Sequence, residues 1–221
     1  MNDHDPSSYV PALRFKWLTK YYDLVVGLTT RERTFKKALL EQTNIQPRDR
    51  VLDLACGTGT LAIRCKEMYP TAQVVGVDGD KEILEIAAEK AGRANTTITL
   101  DNALSFALPY EDEEFDVVTS SLFFHHLSHT DKKRTVMEVS RVLKPKGRLH
   151  VADWGQPTNF LMRILFFFIQ VLDGFENTSD NINGELDYIL KKNGFSKVST
   201  RKTFNTMFGT LALYECEKAL D

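Results

Sequence analysis

A short apolar segment, residues 50–54, runs straight into Ala55-Cys56-Gly57-Thr58-Gly59, and this join limits the folds open to the chain. Two glycines one residue apart permit a tight turn and let a ligand approach the backbone, because neither carries a Cβ. The helix predicted over residues 60–69 offers free N–H groups to an anionic or carboxylate-bearing ligand. A second predicted strand, residues 73–77, ends in Asp78, and an acid there can accept both hydroxyls of a ribose. The spacing Gly57-x-Gly59-x-x-Ala62 also fits the dinucleotide fingerprint. The alternative is a purely structural strand-to-helix turn followed by a solvated aspartate. Three features separate a nicotinamide cofactor from other adenosine cofactors. A helix precedes the first strand; Asp53 suits an ammonium group and would repel a pyrophosphate; and the chain ends in a hairpin instead of a second βαβ half.

The rest of the chain alternates in the same way. A helix is predicted over 31–44, with Phe35, Ala38 and Leu39 on one face. Asp80 caps a helix over 81–91 that stops at Gly92. Strands follow at 96–100 and 115–119. Ser128 and Asp131 form a capping pair that opens a helix to Val142, and a fifth strand covers 147–152. Such alternation implies a parallel sheet covered on both faces, with ligands beyond the carboxyl ends of its strands. After it come a helix over 182–192 and two strands, 196–204 and 207–217. Their connection is too short for anything but a hairpin, so one of them runs antiparallel.

The balance of charge narrows the partners. With 28 Lys and Arg against 30 Asp and Glu, and no basic run, the chain carries no electrostatic footprint for nucleic acid. Its first ten residues are polar and acidic, unlike a secretory signal. The longest apolar stretch, 160–172, falls short of the ~20 residues that span a bilayer. Cysteines 56, 65 and 216 form neither a disulfide framework nor a metal-ligand pattern, so a cytoplasmic setting without a metal is expected.

At the level of motifs the chain resembles the class I S-adenosylmethionine-dependent methyltransferases. Val51-Leu52-Asp53-Leu54-Ala55-Cys56-Gly57-Thr58-Gly59 matches their nucleotide loop, and Val75-Gly76-Val77-Asp78 their ribose-binding strand. Leu108-Pro109-Tyr110 with Phe115-Asp116-Val117-Val118 resembles the entry to the fourth strand. Leu143-Lys144-Pro145-Lys146-Gly147-Arg148 resembles the turn into the fifth. Within that superfamily, Tyr22-Asp23, His125-His126-Leu127 and the short tail are similar to the ubiquinone and menaquinone biosynthesis C-methyltransferases. The resemblance implies a Rossmann-like, seven-stranded, mostly parallel sheet with helices on both faces and a C-terminal antiparallel hairpin. It implies one methyltransferase domain over 31–221, preceded by a helical cap over 1–30. It implies S-adenosylmethionine as cofactor, with Asp53, Ala55, Gly57, Thr58 and Gly59 at its methionine end. Asp78 would bind the ribose, Gly79 would shape the adenine pocket with Asn102 and Ala103 beside the ring, Ser120 would lie near the sulfonium, and Tyr22 would reach the cofactor from the cap.

Methyl transfer from a sulfonium needs positioning and exclusion of water, and a base only where the acceptor loses a proton. His125 and His126 follow the fourth strand and Asp153 closes the fifth, all on the expected rim, so these are the candidate catalytic residues. The structural alternative is that the histidines pack or face solvent and that Asp153 bonds a loop backbone. The apolar segment 159–172, with Phe166-Phe167-Phe168, reads as a buried helix, a pocket wall or a dimer face, or as a surface meeting lipid. Tyr9, Phe15, Trp17, Tyr21 and Tyr22 could enclose an apolar or cationic acceptor in the cap. The expectation is a methyltransferase acting on a small, hydrophobic acceptor such as a quinol or lipid. The alternatives are a non-catalytic S-adenosylmethionine-binding partner subunit and an NAD(P)-dependent oxidoreductase.

Overall fold

The computed structural model describes residues 31–219, the side chains at 172 and 173 excepted. The predicted cap over 1–30, with Tyr22 and its other aromatic residues, lies outside the described residues. The elements are α1 (Glu32–Thr43), β1 (Arg50–Leu54), α2 (Thr60–Met68), β2 (Gln73–Asp78), α3 (Lys81–Arg93), β3 (Thr99–Asn102) and β4 (Phe115–Ser121). A 3-10 turn (Phe124–His126) leads into α4 (His129–Val142) and β5 (Leu143–Trp154). Then come α5 (Phe160–Asp173), α6 (Phe175–Asn183), α7 (Glu185–Lys192), β6 (Phe195–Thr206) and β7 (Gly209–Lys218).

The seven strands form one sheet in the order β3-β2-β1-β4-β5-β7-β6. β1 to β5 are parallel, and β7 runs antiparallel to both β5 and β6, as the hairpin requires. β1 and β4 are direct neighbours although β2 and β3 intervene in sequence, so the topological switch lies between Leu54 and Ser120. That is where an open α/β sheet forms a crevice. One face of the sheet carries a core with Val136 and Val139 of α4 and Leu186, Ile189 and Leu190 of α7. The other carries Phe35 and Leu39 of α1, Leu61 of α2 and Phe166 of α5. Both predicted caps are present. The Asp80 carboxylate accepts from the Glu82 and Ile83 amides at 2.9 and 3.3 Å, and Ser128 Oγ accepts from the Asp131 amide at 3.1 Å.

Several boundaries differ from expectation. β3 occupies Thr99–Asn102, later than the predicted 96–100, because its register is set by pairing with Val75–Asp78. The predicted helix 182–192 is split at Gly184, which adopts φ 77° and leaves α6 and α7 as separate helices. A Cβ at that position would lie 2.5 Å from Gln156 Nε2. The hairpin turn falls at Met207-Phe208, so β6 extends through Thr206 and β7 begins at Gly209. α5 is the largest departure. Met162, Phe166 and Gln170 face the protein, whereas Phe160, Leu161, Ile164, Phe167, Phe168 and Val171 are exposed. An all-apolar helix has no polar face to turn outward, and here no neighbour among the described residues covers its second side.

Candidate active site

The glycine loop is fixed from below before any ligand arrives. The Cys56 amide donates to Val77 O (2.9 Å), and the Gly59 amide to Cys56 O (2.9 Å). Gly57 and Gly59 have φ of 54° and 73°, and even Ala55 takes φ 54°. The two glycines serve different ends. A Cβ on Gly59 would meet Ala87 Cβ of α3 at 3.1 Å, whereas one on Gly57 would meet nothing within 4 Å. Gly59 therefore lets the helices close, and Gly57 presents bare backbone to open space.

Asp78 sits against this loop. Its Oδ2 accepts from the Gly57 amide and its Oδ1 from the Asp80 amide, both at 2.9 Å. Burial raises its pKa, and those amides pull the other way. A carboxylate accepts about four hydrogen bonds, so both oxygens keep room for a diol. The Asn102 side chain and the Ala103 amide both donate to Asp78 O, at 2.9 and 3.1 Å. Asn102 is thus committed to holding the Asp78 backbone. The Thr58 hydroxyl accepts from Lys90 Nζ (3.2 Å), and Ser120 Oγ, fully buried, donates to Leu54 O (3.1 Å). Ser120 ties β4 to β1 at the switch point. Gly79 is half-buried between Asp78 and the Asp80 cap.

Asp53 is the least satisfied group in the crevice. Its Oδ1 accepts from Thr119 Oγ1 at 3.1 Å, while its Oδ2 is buried with no hydrogen-bond partner. Burial pushes its pKa up to about 7, against the pull of the Lys36 ammonium, the Thr119 hydroxyl and the Ala62 amide. A buried acid in this state lacks a cation. Asp53 with an unpartnered oxygen, Gly57 with open space above it and Asp78 with unused acceptor capacity fit an ammonium-bearing adenosine cofactor.

A stability prediction follows from that carboxyl. Its folded pKa lies above the ordinary 3.8, so its contribution is fully present below that value and is lost as pH rises through about 7. Asp53→Asn, neutral at every pH, is expected to raise the melting temperature of the cofactor-free protein above pH 7. The gain is at most about 4 kcal/mol, or several degrees, and it vanishes toward acid pH. Equal melting temperatures of variant and parent above neutrality, by differential scanning calorimetry, would remove the strained-carboxyl reading.

On the other side of the switch the three catalytic candidates come together. Asp153, fully buried, places Oδ1 2.6 Å from His125 Nδ1. The same carboxylate accepts from the Trp154 amide (2.7 Å), the Phe123 amide (3.2 Å) and the His125 amide (3.3 Å). Asp153 therefore does bond loop backbone, as the structural alternative expects, and it also holds a histidine, a contact the sequence did not foretell. Asp153 meets the ring at Nδ1, so Nε2 is the nitrogen on the far side from that carboxylate. The His126 ring stacks on it at a centroid distance of 4.0 Å. Burial drives the His126 pKa well below 6.5, and its neighbours His125 and Lys132 push the same way.

Beneath this pair lies a layer that sequence spacing did not reveal. Asn177 Nδ2 donates to His126 O (3.1 Å), and Asn181 Nδ2 to Trp154 O (3.0 Å). Lys132, with its side chain fully buried, donates to Asn177 O (2.5 Å) and Asp180 Oδ2 (3.1 Å). Burial lowers the Lys132 pKa while Asp180 raises it. The available signal was the polar run Asn177 to Asn181 directly after an apolar helix. His129, Asp180 and Glu185 bring ligand-type atoms within 4.8 Å of one another, and Lys132 supplies the positive charge against Asp180.

Comparison with known proteins agrees with this geometry. Residues 51–147 match a family model described as a methyltransferase domain. The demethylmenaquinone methyltransferase of Thermus thermophilus is 34% identical over 163 residues, covering 73% of this chain and 71% of the relative. That of Deinococcus radiodurans is 34% identical over 72% of this chain, and the chain spans 66% of its length. A 2-phytyl-1,4-naphtoquinone methyltransferase of Trichormus variabilis is 34% identical over 58% of this chain and 57% of the relative. Among solved structures, a putative O-methyltransferase from Nostoc punctiforme superposes with a TM-score of 0.72 at 18% identity. It covers 91% of this chain and 59% of its own, and at that identity it shows the fold alone.

Proposed function

This chain belongs to the class I S-adenosylmethionine-dependent methyltransferases, in the ubiquinone/menaquinone biosynthesis methyltransferase-like branch, and on that premise we propose that it methylates a small hydrophobic acceptor of the quinol class. The observation that carries the cofactor half is the half-satisfied Asp53 carboxylate, buried beside the open face of Gly57 at the sheet's switch point. The relatives' names point to quinones as the acceptor class.

When bound, S-adenosylmethionine supplies an electrophilic methyl group on a sulfonium. The chain's own residues do the rest. Asp53 Oδ2 receives the ammonium, Asp78 receives the ribose hydroxyls, and the Gly57 backbone allows close approach. His125 Nε2 takes the proton of an acceptor hydroxyl, and Asp153 stabilises the resulting imidazolium. Loss of that proton makes a quinol ring nucleophilic at oxygen and at the adjacent carbon. Asn177 and Asn181 hold the backbone that carries His126 and Trp154, which keeps the rim in register.

The setting proposed is the cytoplasm; among the described residues no helix is long and apolar enough to cross a membrane. Calorimetric titration with S-adenosylmethionine, S-adenosylhomocysteine and NAD(H), followed by mass spectrometry of a short-chain naphthoquinol incubated with the cofactor, tests the reading. Binding of the first two and a singly methylated product are expected. Binding without turnover on any quinol would favour a non-catalytic partner subunit, and a response to NAD(H) alone would favour an oxidoreductase. Asp53 weighs against the latter, since its charge would repel a pyrophosphate.

A further inference from the structure

Lys132 stands where an apolar residue belongs. The buried residues of α4 are Lys132, Thr135, Val136, Val139 and Val142, the stripe that turns to the core. The Lys132 side chain is 0% exposed. A lysine almost never reaches that depth unless it is paired, because its charge must leave water. Burial lowers its pKa, while Asp180, Asp153 and Glu185 favour the ammonium. Burial acts against charge on Asp180 too, yet Lys132 and His129 hold that carboxyl below its ordinary range.

Stability does not account for the pair. Taking two ions out of water costs about what their attraction returns, and apolar residues of similar volume would pack as well or better. Asn181 is no better placed, since its Oδ1 is buried without a partner. What this layer supplies is direction. Lys132 Nζ fixes two points of α6, Asn177 O at 2.5 Å and Asp180 Oδ2 at 3.1 Å, where an apolar contact would let the helices slide. From the same helix, Asn177 Nδ2 reaches His126 O (3.1 Å) and Asn181 Nδ2 reaches Trp154 O (3.0 Å). His126 follows His125, and Trp154 follows Asp153. Each partner of the His125–Asp153 contact is therefore held one residue away by α6, and α6 is held by Lys132.

We propose that Lys132 is a positioning residue for the His125–Asp153 pair, acting through α6. The pair joins two separate segments, the 3-10 turn after β4 and the end of β5, with Nδ1 and Oδ1 2.6 Å apart. The carbonyls of His126 and Trp154 are the points at which both segments meet one helix. A buried charge at a core position breaks the local pattern of α4, and such breaks gather at functional sites. The kinetic arm of the test rests on the general-base reading proposed above; the spectroscopic arm does not.

The test compares the parent with Lys132→Met and with Lys132→Met/Asp180→Leu, by calorimetry, nitrogen NMR of the histidine rings and steady-state rates on a short-chain naphthoquinol. Lys132→Met alone strands the buried Asp180 carboxylate and is expected to melt lower. The double variant replaces both ions by apolar side chains and is expected to recover the parental melting temperature and S-adenosylmethionine affinity. Its kcat should nevertheless stay about tenfold to a hundredfold down with KM little changed, the signature of a misplaced catalytic group. The His125 Nδ1 signal, identified by its absence in His125→Ala, should move as the contact with Asp153 loosens. A role in folding alone predicts the opposite, with kcat returning alongside the melting temperature. Parental kcat or a parental His125 signal in the double variant would overturn the proposal. Asn177→Ala, half-buried and outside the ion pair, covers the case in which the double variant does not fold. It cuts the link to His126 alone and should move the same signal, and an unmoved signal there would also overturn the proposal. If the parent itself fails to turn over the naphthoquinol, the acceptor reading falls and the His125 signal alone decides the role of Lys132.

Discussion

Asp78→Ala is expected to weaken S-adenosylmethionine binding by about 100-fold to 10,000-fold. Two hydrogen bonds from ribose hydroxyls to a carboxylate are worth about 1.5–3 kcal/mol each. The substitution also removes what orients the loop, because Asp78 Oδ2 and Oδ1 hold the Gly57 and Asp80 amides at 2.9 Å. The cofactor's stabilisation of the fold scales with its affinity, so the melting-temperature rise on adding S-adenosylmethionine should disappear in the variant. Asp78→Asn should retain part of the loop's order but accept only one hydroxyl, and should fall between the two. Calorimetric titration reads all three proteins. Parental affinity in Asp78→Ala would mean that the ribose lies elsewhere.

His125→Ala should lower kcat by about 100-fold to 10,000-fold on a quinol acceptor, the usual worth of a positioned general base. Cofactor affinity should stay at the parental value, since His125 and Asp153 lie across the switch from Asp53 and Asp78. Added imidazole should restore part of the lost rate in His125→Ala, which no purely structural role would allow. Asp153→Asn should lower kcat with little change in KM, because an amide can present N–H to His125 Nδ1 and so hold the ring in the wrong tautomer. Steady-state rates with each variant decide. A His125→Ala enzyme as fast as the parent would leave the acceptor to lose its proton directly to water.

The strand, glycine turn and acid proposed to hold the cofactor were legible as structure because their physics is local. A strand, two glycines, a helix and an acid at the next strand's end all lie within residues 50–78, and each has a reason that spacing alone expresses. The caps at Asp80 and Ser128 were legible for the same reason, as was the antiparallel hairpin. The acceptor half depends on contacts between distant segments. His125 and Asp153 stand 28 positions apart, and only the pairing of β4 with β5 brings their loops together. Asn102 and Ser120 sit beside the predicted crevice, yet their side chains bond Asp78 and Leu54 backbone, a choice set by strand register. The polar layer of Lys132, Asn177 and Asn181 was hidden because buried polar residues leave no periodic trace. The composition of α5 left burial, a pocket wall, a dimer face and a lipid-facing surface open, because apolarity nearly all round does not say which stripe of a helix faces a sheet.

The strand order β3-β2-β1-β4-β5-β7-β6 also bears on how such a protein changes over generations. Among the described residues, Asp53, Gly57 and Asp78, proposed to grip the cofactor, follow β1 and β2 on one side of the β1–β4 seam, and His125 and Asp153, proposed to meet the acceptor, follow β4 and β5 on the other. Variation in α5, α6 or the hairpin tip is therefore shielded from the conserved currency of the reaction. A lineage could trade one acceptor for another by altering a contiguous stretch of chain after Trp154. The end of β5 is the natural place to graft a foreign C-terminal third in the laboratory.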